Sequence, residues 1–488
     1  MSATNGLYET TVGLEIHVEL ATESKMFCGC AVAFAGEPNT RTCPVCLGLP
    51  GSLPVANRKA VEHTIRIGIA LDCTIVDRSL FHRKNYFYPD MPKNYQISQY
   101  DIPLAVGGAV EIKGDFGAKR VGITRVHLEE DTGKSVHIGG TGRLAESDYS
   151  LEDFNRAGTP LVEIVSEPDI GSAEEARVFV TELRALLDSL GVSDVRMEEG
   201  SLRVDANVSV RRAGETEHGT KIEVKNMNSI RSVARALEYE EKRQREALEA
   251  GEALVQETRH FDENSGKTFP GRLKEYSSDY RYFPEPDLVP FEPETAWVQE
   301  IRASLPETPM ARRARFATQY GLGEKDIAIL TASTKTSEWF EAAASSYGGD
   351  AKKVVNWIIA DIYGLLNEAG IELWESKVKP RDLAALIALI DSGEISGKQG
   401  KAVLAEMFAT GGAPQEIAQE KGLRQVSDTA EIESAVDEVI AENVDAADKV
   451  RAGQLNTIGF LVGQVMKKTA GRANPGLVND ILRRKLVD

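Results

Sequence analysis

Between Thr11 and Leu20 the chain alternates in a way only an extended strand satisfies. Val12, Leu14, Ile16, Val18 and Leu20 fall on one side, and Thr11, Glu15, His17 and Glu19 on the other. The segment predicts a half-buried strand whose polar face sets two carboxylates around an imidazole. A wet face of an antiparallel sheet carries the same pattern, so this strand alone assigns no chemistry.

Other segments extend the pattern. Thr159-Pro-Leu-Val-Glu-Ile-Val165 is an apolar run interrupted by Glu163, a carboxylate that is costly in such a strand unless paired or bound to a metal. Val121 to Leu128 predicts a strand running into three adjacent acids, Glu129, Glu130 and Asp131, which repel one another unless a cation lies among them. Leu202 to Val210 alternates again, with Arg203, Asp205, Asn207 and Ser209 on one face. With Thr220 to Lys225 it predicts an antiparallel hairpin. Carboxylates and water are the ligands Mg²⁺ prefers, with substrate phosphates completing its shell. A sheet lined this way suits phosphoryl transfer, although the sequence does not say which faces meet.

Nucleotide motifs of the common kinds fail. Asp131-Thr-Gly-Lys-Ser135 resembles the end of a P-loop, but Leu128 stands where its first glycine belongs, and Gly266-Lys-Thr268 has Phe261 there. Both are expected to be turns, the second a hairpin turn at Asp262 to Lys267. No GxGxxG joins a strand to a helix, so an ATP site here is of neither P-loop nor Rossmann type.

Four of the five cysteines form CxC…CxxC: Cys28, Cys30, Cys43 and Cys46, with twelve residues between the pairs. Two such pairs can close a tetrahedral Zn²⁺ shell with no open position, a structural rather than catalytic site. Four unconnected buried thiols are the alternative. Cys73 lies in a helix-like stretch and is expected in the core.

The 488 residues suggest about three domains. Mixed texture holds to about residue 290. Helical periodicity then takes over, as in Asp326 to Ala344, Lys352 to Leu366 and Pro380 to Ile390, with a connector at Phe291 to Thr295 and a break at Thr410 to Pro414. The expected fold is therefore α+β, with a mixed first domain at 1–295 holding the zinc insert at 28–46, a helical domain at 296–409 and a small helical tail at 410–488. No apolar run spans a membrane, and the N-terminus has no secretion pattern, so the cytoplasm is the expected location.

The formal charge of −18 excludes a uniformly basic nucleic-acid coat. Charge inverts in the tail, however. Glu416 to Asp448 holds ten acidic and two basic residues, and Lys449 to Asp488 holds eight basic and two acidic. Two solvated helix faces explain this; a basic nucleic-acid arm explains it too.

The collected motifs resemble the B-subunit family of the GatCAB aminoacyl-tRNA amidotransferases. Those carrying the resemblance are Val12-Gly-Leu-Glu-Ile-His-Val-Glu19, Arg83-Lys-Asn-Tyr-Phe-Tyr-Pro-Asp90, Pro92 to Gln99, His127-Leu-Glu-Glu-Asp-Thr-Gly-Lys134, Asn155 to Pro168, Met197 to Leu202, Glu238 to Arg243, Ser278 to Asp287, Gly459 to Gln464 and Ala473-Asn-Pro475. They span essentially the whole chain. The resemblance implies a mixed α/β cradle with an antiparallel sheet, a helical domain and a YqeY-like tail.

It also implies an activity: ATP-dependent amidation of Glu-tRNA(Gln), Asp-tRNA(Asn) or both. The side-chain carboxylate is phosphorylated with ATP and Mg²⁺, and ammonia displaces the phosphate. The ammonia comes from glutamine hydrolysed by a glutaminase partner, the A component of such heterotrimers, and the small C component holds the two together. A carboxylate resists ammonia because oxide is a poor leaving group; an acyl phosphate does not. By motif, His17, Glu130 and Glu163 would hold Mg²⁺ and Glu15 a second metal position. Glu129 competes with Glu130, although strand phase turns Glu130 inward with Val126 and Leu128. Lys84, Tyr86, Lys93, Glu198 and Asp205 would line the site or the ammonia route. The cysteine set matches family members that carry zinc. Lys467, Lys468, Arg472, Arg483, Arg484 and Lys485 would be the tRNA arm. The chain has no Gly-Ser-Ser-Gly amidase signature, which fits a separate glutaminase. Competing readings are a non-catalytic zinc-stabilised tRNA scaffold and the archaeal tRNA(Gln)-specific relative, whose inserted domain has no room here.

Overall fold

Tyr8–Glu19 forms strand β1. Val12, Leu14, Ile16 and Val18 are at most 1% exposed, while Glu15, His17 and Glu19 are half-buried on the opposite face. A slip of one residue would drive the charged set into the core, so burial of one face fixes the register of the strand. The computed structural model describes residues 7–139, 147–271, 280–423, 429–469, 473 and 475–487.

The chain divides into two units, before and after Met310. In the first, β1 is followed by α1 (Arg58–Ala70), β2 (Thr74–Ile75), β3 (His82–Asn85), β4 (Tyr95–Ser98), β5 (Ala105–Val106), β6 (Ala109–Gly114) and β7 (Gly117–Glu130). Next come β8 (Lys134–Ile138), β9 (Tyr149–Asp153), β10 (Pro160–Ser166), α2 (Ala173–Leu190), β11 (Leu202–Arg212), β12 (Ile222–Met227) and α3 (Ile230–Glu249). The unit ends with β13 (Thr258–Asp262), β14 (Lys267–Pro270), β15 (Arg281–Pro284) and α4 (Thr295–Ala303).

Among the described residues the main sheet runs β14-β13-β12-β11-β1-β10-β7-β5-β2, with β6 on β7. Its neighbours are antiparallel except β12 and β13. The expected hairpins appear as β11–β12 and β13–β14. A smaller sheet, β15-β3-β4, and the hairpin β8–β9 complete the strands among the described residues.

Helices α1, α2 and α3 share one core with the apolar sheet face: Ile65, Phe179, Leu183 and Leu237 join Val12, Leu14, Ile16, Val126 and Leu128. Each such side chain contributes about 1.5–3 kcal/mol by leaving water. Caps set the helix starts. The Asn57 Oδ1 accepts from Lys59 N and Ala60 N at 2.9 and 3.3 Å, and its amide donates to Ser24 O at 3.0 Å, tying α1 to the chain leaving β1. Cys73 is buried as expected, but it follows α1 rather than lying in it.

The second unit is helical: α5 (Pro309–Tyr320), α6 (Glu324–Leu330), α7 (Thr334–Tyr347), α8 (Ala351–Trp357), α9 (Tyr363–Ala369), α10 (Pro380–Asp391), α11 (Gly397–Thr410) and α12 (Pro414–Glu420), then α13 (Thr429–Glu442), α14 (Val444–Arg451), α15 (Ile458–Lys468) and α16 (Pro475–Leu486). The helix expected over Asp326 to Ala344 is two, because Ser333 caps α7 by accepting from Thr336 N at 3.1 Å. Lys352 to Leu366 runs through a π turn at Ile358–Ile362.

Two boundaries shift. Helix α4 belongs to the first unit, where Ile301 joins the sheet's core, so that unit extends past 295. The break at Thr410 to Pro414 is a turn, with Gly411 left-handed at φ 78°. Helix α12 beyond it buries Ile417 and Ala418 with Leu386 and Met407 of α10 and α11. A separate core begins at Ile432 and gathers Val436, Leu461, Val465, Val478 and Leu482. Among the described residues no helix is long and apolar enough to cross a membrane.

Candidate active site

The polar faces of β11, β1, β10 and β7 lie side by side, and their registers stack charged groups in rows. Glu163 pairs with His17 on one side and His127 on the other, and His17 pairs with Arg203. One row along stand Arg125, Val165, Glu15 and Asp205. In the other direction Glu129 faces Leu161, which faces Glu19. The cost of a carboxylate in the apolar strand β10 is met by these neighbours.

His17 Nε2 is 3.3 Å from Glu163 Oε2 and 3.9 Å from Glu129 Oε1. His127 Nε2 is 3.7 Å from Glu129 and 3.6 Å from Glu163, and its Nδ1 accepts from Arg125 Nε at 3.4 Å. Ser98 Oγ donates to Glu129 Oε2 at 2.9 Å. Burial alone would raise Glu163, but the His127 charge and the His17 hydrogen bond hold it well below the carboxylate range. Glu129 is lowered too, burial being outweighed by its hydrogen bond with His127. His17 is raised, because its bond to Glu163 and the two carboxylate charges overcome burial.

His17, Glu129 and Glu163 each offer a ligand atom within 4.8 Å of the others. Two carboxylates and an imidazole on one side of an open cleft fit a divalent cation that keeps several waters. The cation would also relieve the repulsion between Glu129 and Glu163. The cleft holds about 220 Å³ and is lined in addition by Lys84, Arg125, Tyr100 and Tyr282. Lys84 Nζ stands 5.0 Å over the Tyr280 ring and 6.0 Å over Tyr86. Burial would lower Lys84, yet the charges of Glu129 and Glu163 raise it.

A second carboxylate pair flanks this cluster. Glu19 and Asp131 share a hydrogen bond; burial and the Asp131 charge push Glu19 up to about 8. Burial opposes ionisation of Asp131 as well, but Arg203 and Arg156 bring it down to about 2. Arg203 donates to Asp131 Oδ2 at 2.8 Å.

Glu130 does not join this cluster, whereas the expected set is His17, Glu130 and Glu163, with Glu129 as the competitor of Glu130. It points through the other face of β7, buried, paired with Lys93 and accepting from Ile97 N at 3.0 Å. Glu129 takes its place. Glu15 stays beside the cluster and accepts from Asn207 Nδ2 at 2.9 Å. Asp205 is engaged by Lys225 at 2.6 Å. Glu198 is exposed on the turn before β11 and lines nothing in the cleft. His127 and Arg125 were missed, although they share with Glu129 the polar phase of β7.

Cys28, Cys30, Cys43 and Cys46 bring their sulfurs together within 4.8 Å, all as free thiols. The Cys43–Cys46 sulfur separation is 3.9 Å. A tetrahedron with Zn–S bonds of about 2.3 Å has edges of about 3.8 Å, so the knot fits zinc. The hydrogen bond with Cys28 brings Cys46 down to about 4 against burial, while the same bond pushes Cys28 up and burial pushes Cys30 up to about 11.

In the tail the charge inversion resolves into pairs between helices. Lys468 meets Glu438 and Glu442 at 2.6 and 2.7 Å, Lys485 meets Asp437 at 2.6 Å, and Arg484 pairs with Glu433. Lys467 and Arg483 are exposed. Arg472 lies outside the described residues.

Comparison with known proteins covers both units. Residues 10–299 match the GatB/GatE catalytic domain, and residues 338–486 match the GatB domain of YqeY type. The B subunit of the aspartyl/glutamyl-tRNA(Asn/Gln) amidotransferase of Carboxydothermus hydrogenoformans is 52% identical over 479 residues, 98% of this chain and 99% of that protein. The protein of that name from Caldanaerobacter subterraneus is 53% identical with the same coverage. The one from Anaeromyxobacter dehalogenans is 51% identical over 484 residues, 99% of each chain.

Proposed function

The chain belongs to the GatB/GatE family of tRNA amidotransferase subunits, and from that premise we propose that its cleft phosphorylates and amidates the side-chain carboxylate of glutamate or aspartate esterified to tRNA(Gln) or tRNA(Asn). The observation that carries this reading is the His17, Glu129 and Glu163 cluster at one wall of an open cleft whose other charged groups include the cations Lys84 and Arg125.

ATP gives its γ-phosphoryl group to a carboxylate oxygen of the aminoacyl side chain, and ADP leaves. Ammonia then attacks the carbonyl carbon, the bond to phosphate breaks, and the nitrogen gives up one proton to leave the amide. Phosphoryl transfer is mostly positioning and charge neutralisation. Lys84 and Arg125 are placed to meet phosphate oxygens, and His127 with Ser98 steadies the two carboxylates. When bound by His17, Glu129 and Glu163, Mg²⁺ supplies further neutralisation of the phosphate charge. Glu15 beside this set suits a second metal position.

Behind the sheet the buried Lys93–Glu130 pair suits a polar lining for an ammonia route, while Tyr86, beside Lys84, and Asp205, in the row with Glu15, belong to the cleft face. The ammonia comes from glutamine opened by a glutaminase partner, the A component of the heterotrimer, and the small C component completes the assembly. The cysteine knot holds structural zinc, and the tail offers Lys467 and Arg483 to tRNA phosphates.

The test uses the chain together with its partners, misacylated Glu-tRNA or Asp-tRNA, ATP, Mg²⁺ and ammonium chloride, without glutamine. ATP-dependent amide formation that is lost in Glu129→Gln and His17→Ala, with tRNA binding retained, supports the reading. Amide formation unchanged in both variants overturns it and leaves the scaffold role.

A further inference from the structure

We propose that Lys25 is the fixed counter-cation of the four-cysteine knot, and the latch by which bound zinc holds the chain leading into β10. The inference rests on the knot holding zinc. The Lys25 side chain is 1% exposed. Its ammonium has three N–H bonds and meets three acceptors: Arg41 O at 2.8 Å, Phe154 O at 3.2 Å and Cys46 Sγ at 3.6 Å. Two are neutral carbonyls. The sulfur is the one acceptor able to carry a full negative charge, and no ion pair among the described residues supplies Lys25 with a carboxylate. A buried ammonium without an anion is strongly disfavoured. Four thiolates around Zn²⁺ carry a net charge of −2, and Lys25 halves it.

The same three bonds join two stretches far apart in sequence. Arg41 belongs to the knot's loop; Phe154 begins the segment that enters β10 and carries Glu163 to the site. Further bonds stitch the two: Arg41 N to Asn155 Oδ1 at 2.7 Å, Asn155 Nδ2 to Glu37 O at 2.7 Å, and Phe154 N to Asn39 Oδ1 at 2.8 Å. Met26 N reaches Gly158 O at 2.7 Å. Gly158 is left-handed, and a Cβ there would lie 3.4 Å from Lys25 Cδ, 3.6 Å from Cys46 Cβ and 3.8 Å from Glu130 Oε2, whose carboxylate is taken by Lys93. The knot and the approach to β10 thus pack as one body around the lysine.

The experiment takes the full-length chain and first measures its zinc content. About one zinc per chain is expected; a chain that binds none after purification with zinc overturns both this inference and the zinc reading. Zinc affinity is then compared by chelator competition for wild type, Lys25→Met and Lys25→Arg. A loss of about 10–100-fold in Lys25→Met, largely restored in Lys25→Arg, is the expected result for a group acting on a metal through its ligand. Affinity of Lys25→Met indistinguishable from wild type, with zinc bound, overturns the counter-cation role alone. Hydrogen exchange on wild type with and without chelator needs no variant. Faster exchange at residues 153–159 after zinc removal supports the latch, and exchange there unchanged while residues 28–46 lose protection overturns it.

Discussion

Glu129 and Glu130 are neighbours on one strand, and their carboxylates stand on opposite faces of the sheet. Glu129 accepts from Ser98 and faces His17 across 3.9 Å, whereas Glu130 is enclosed with Lys93 and the Ile97 N–H. The period-2 geometry of a strand makes this unavoidable. It gives two adjacent glutamates different surroundings.

Glu129→Gln is therefore expected to weaken divalent-cation binding by at least about 10-fold, since even groups acting through a ligand cost that much. Glu130→Gln is expected to leave cation binding unchanged while depriving Lys93 of its buried anion. Mn²⁺ binding followed by electron paramagnetic resonance on both variants separates the two. Equal losses of affinity would sink the assignment.

The two faces of β1 also differ in what a substitution costs. Ile16 is fully buried among core side chains, and Ile16→Ala is expected to destabilise the first unit by about 2–5 kcal/mol. Glu15→Gln, one residue away, keeps an acceptor for Asn207 and is expected to change stability by less than about 0.5 kcal/mol. Urea denaturation of the two variants beside wild type makes the comparison. A destabilised Glu15→Gln would mean that the polar face carries part of the fold.

Much of this was legible in the sequence, because period-2 patterning reports which side of a strand is buried. It identified β1, the anomalous Glu163 in β10 and the β11–β12 hairpin, and cysteine spacing identified the knot. The inward turn of Glu130 also followed from strand phase. What spacing could not convey is that the interior supplies Lys93 and an N–H to receive that carboxylate, which keeps it apart from His17, Glu129 and Glu163. Arg125 and His127 carry no signal of their own beyond their place on the polar phase of β7, where a solvated side chain looks the same. The break at 410–414 misled for a local reason: a left-handed glycine followed by proline ends one helix and starts another whether or not a core ends there.

The Glu19–Asp131 pair gives the stability a pH dependence of definite sign. Glu19 rises from an ordinary 4.5 to about 8, so the folded chain keeps a proton the unfolded chain releases. Its contribution is complete below pH 4.5 and is lost as pH rises through 8. Asp131, lowered from 3.8 to about 2, contributes above 3.8 and loses that only in strong acid. Between pH 5 and pH 9 the Glu19 effect governs the pair, with an amplitude on the order of a few kcal/mol. Glu19→Gln keeps the shape and cannot ionise, so its stability is expected to fall less across that window. Urea midpoints at acidic, neutral and alkaline pH decide it; parallel profiles for variant and wild type would refute the shared proton.

In the tail, helix α13 already occupies much of the basic surface. Glu438 and Glu442 hold Lys468, Asp437 holds Lys485 and Glu433 holds Arg484, so phosphates arriving there compete with internal carboxylates. Lys467 and Arg483 are exposed and face no such competition from these acids. If the tail meets tRNA, Lys467→Ala and Arg483→Ala should each weaken binding and lower the slope of log affinity against log salt by about 1. Glu438→Gln with Glu442→Gln should act in the opposite sense, freeing Lys468 for phosphate and steepening that slope. Fluorescence anisotropy with labelled tRNA over a salt series measures both. Slopes unchanged in all of these variants would place the tRNA contact elsewhere in the chain and leave the paired helices a purely structural role.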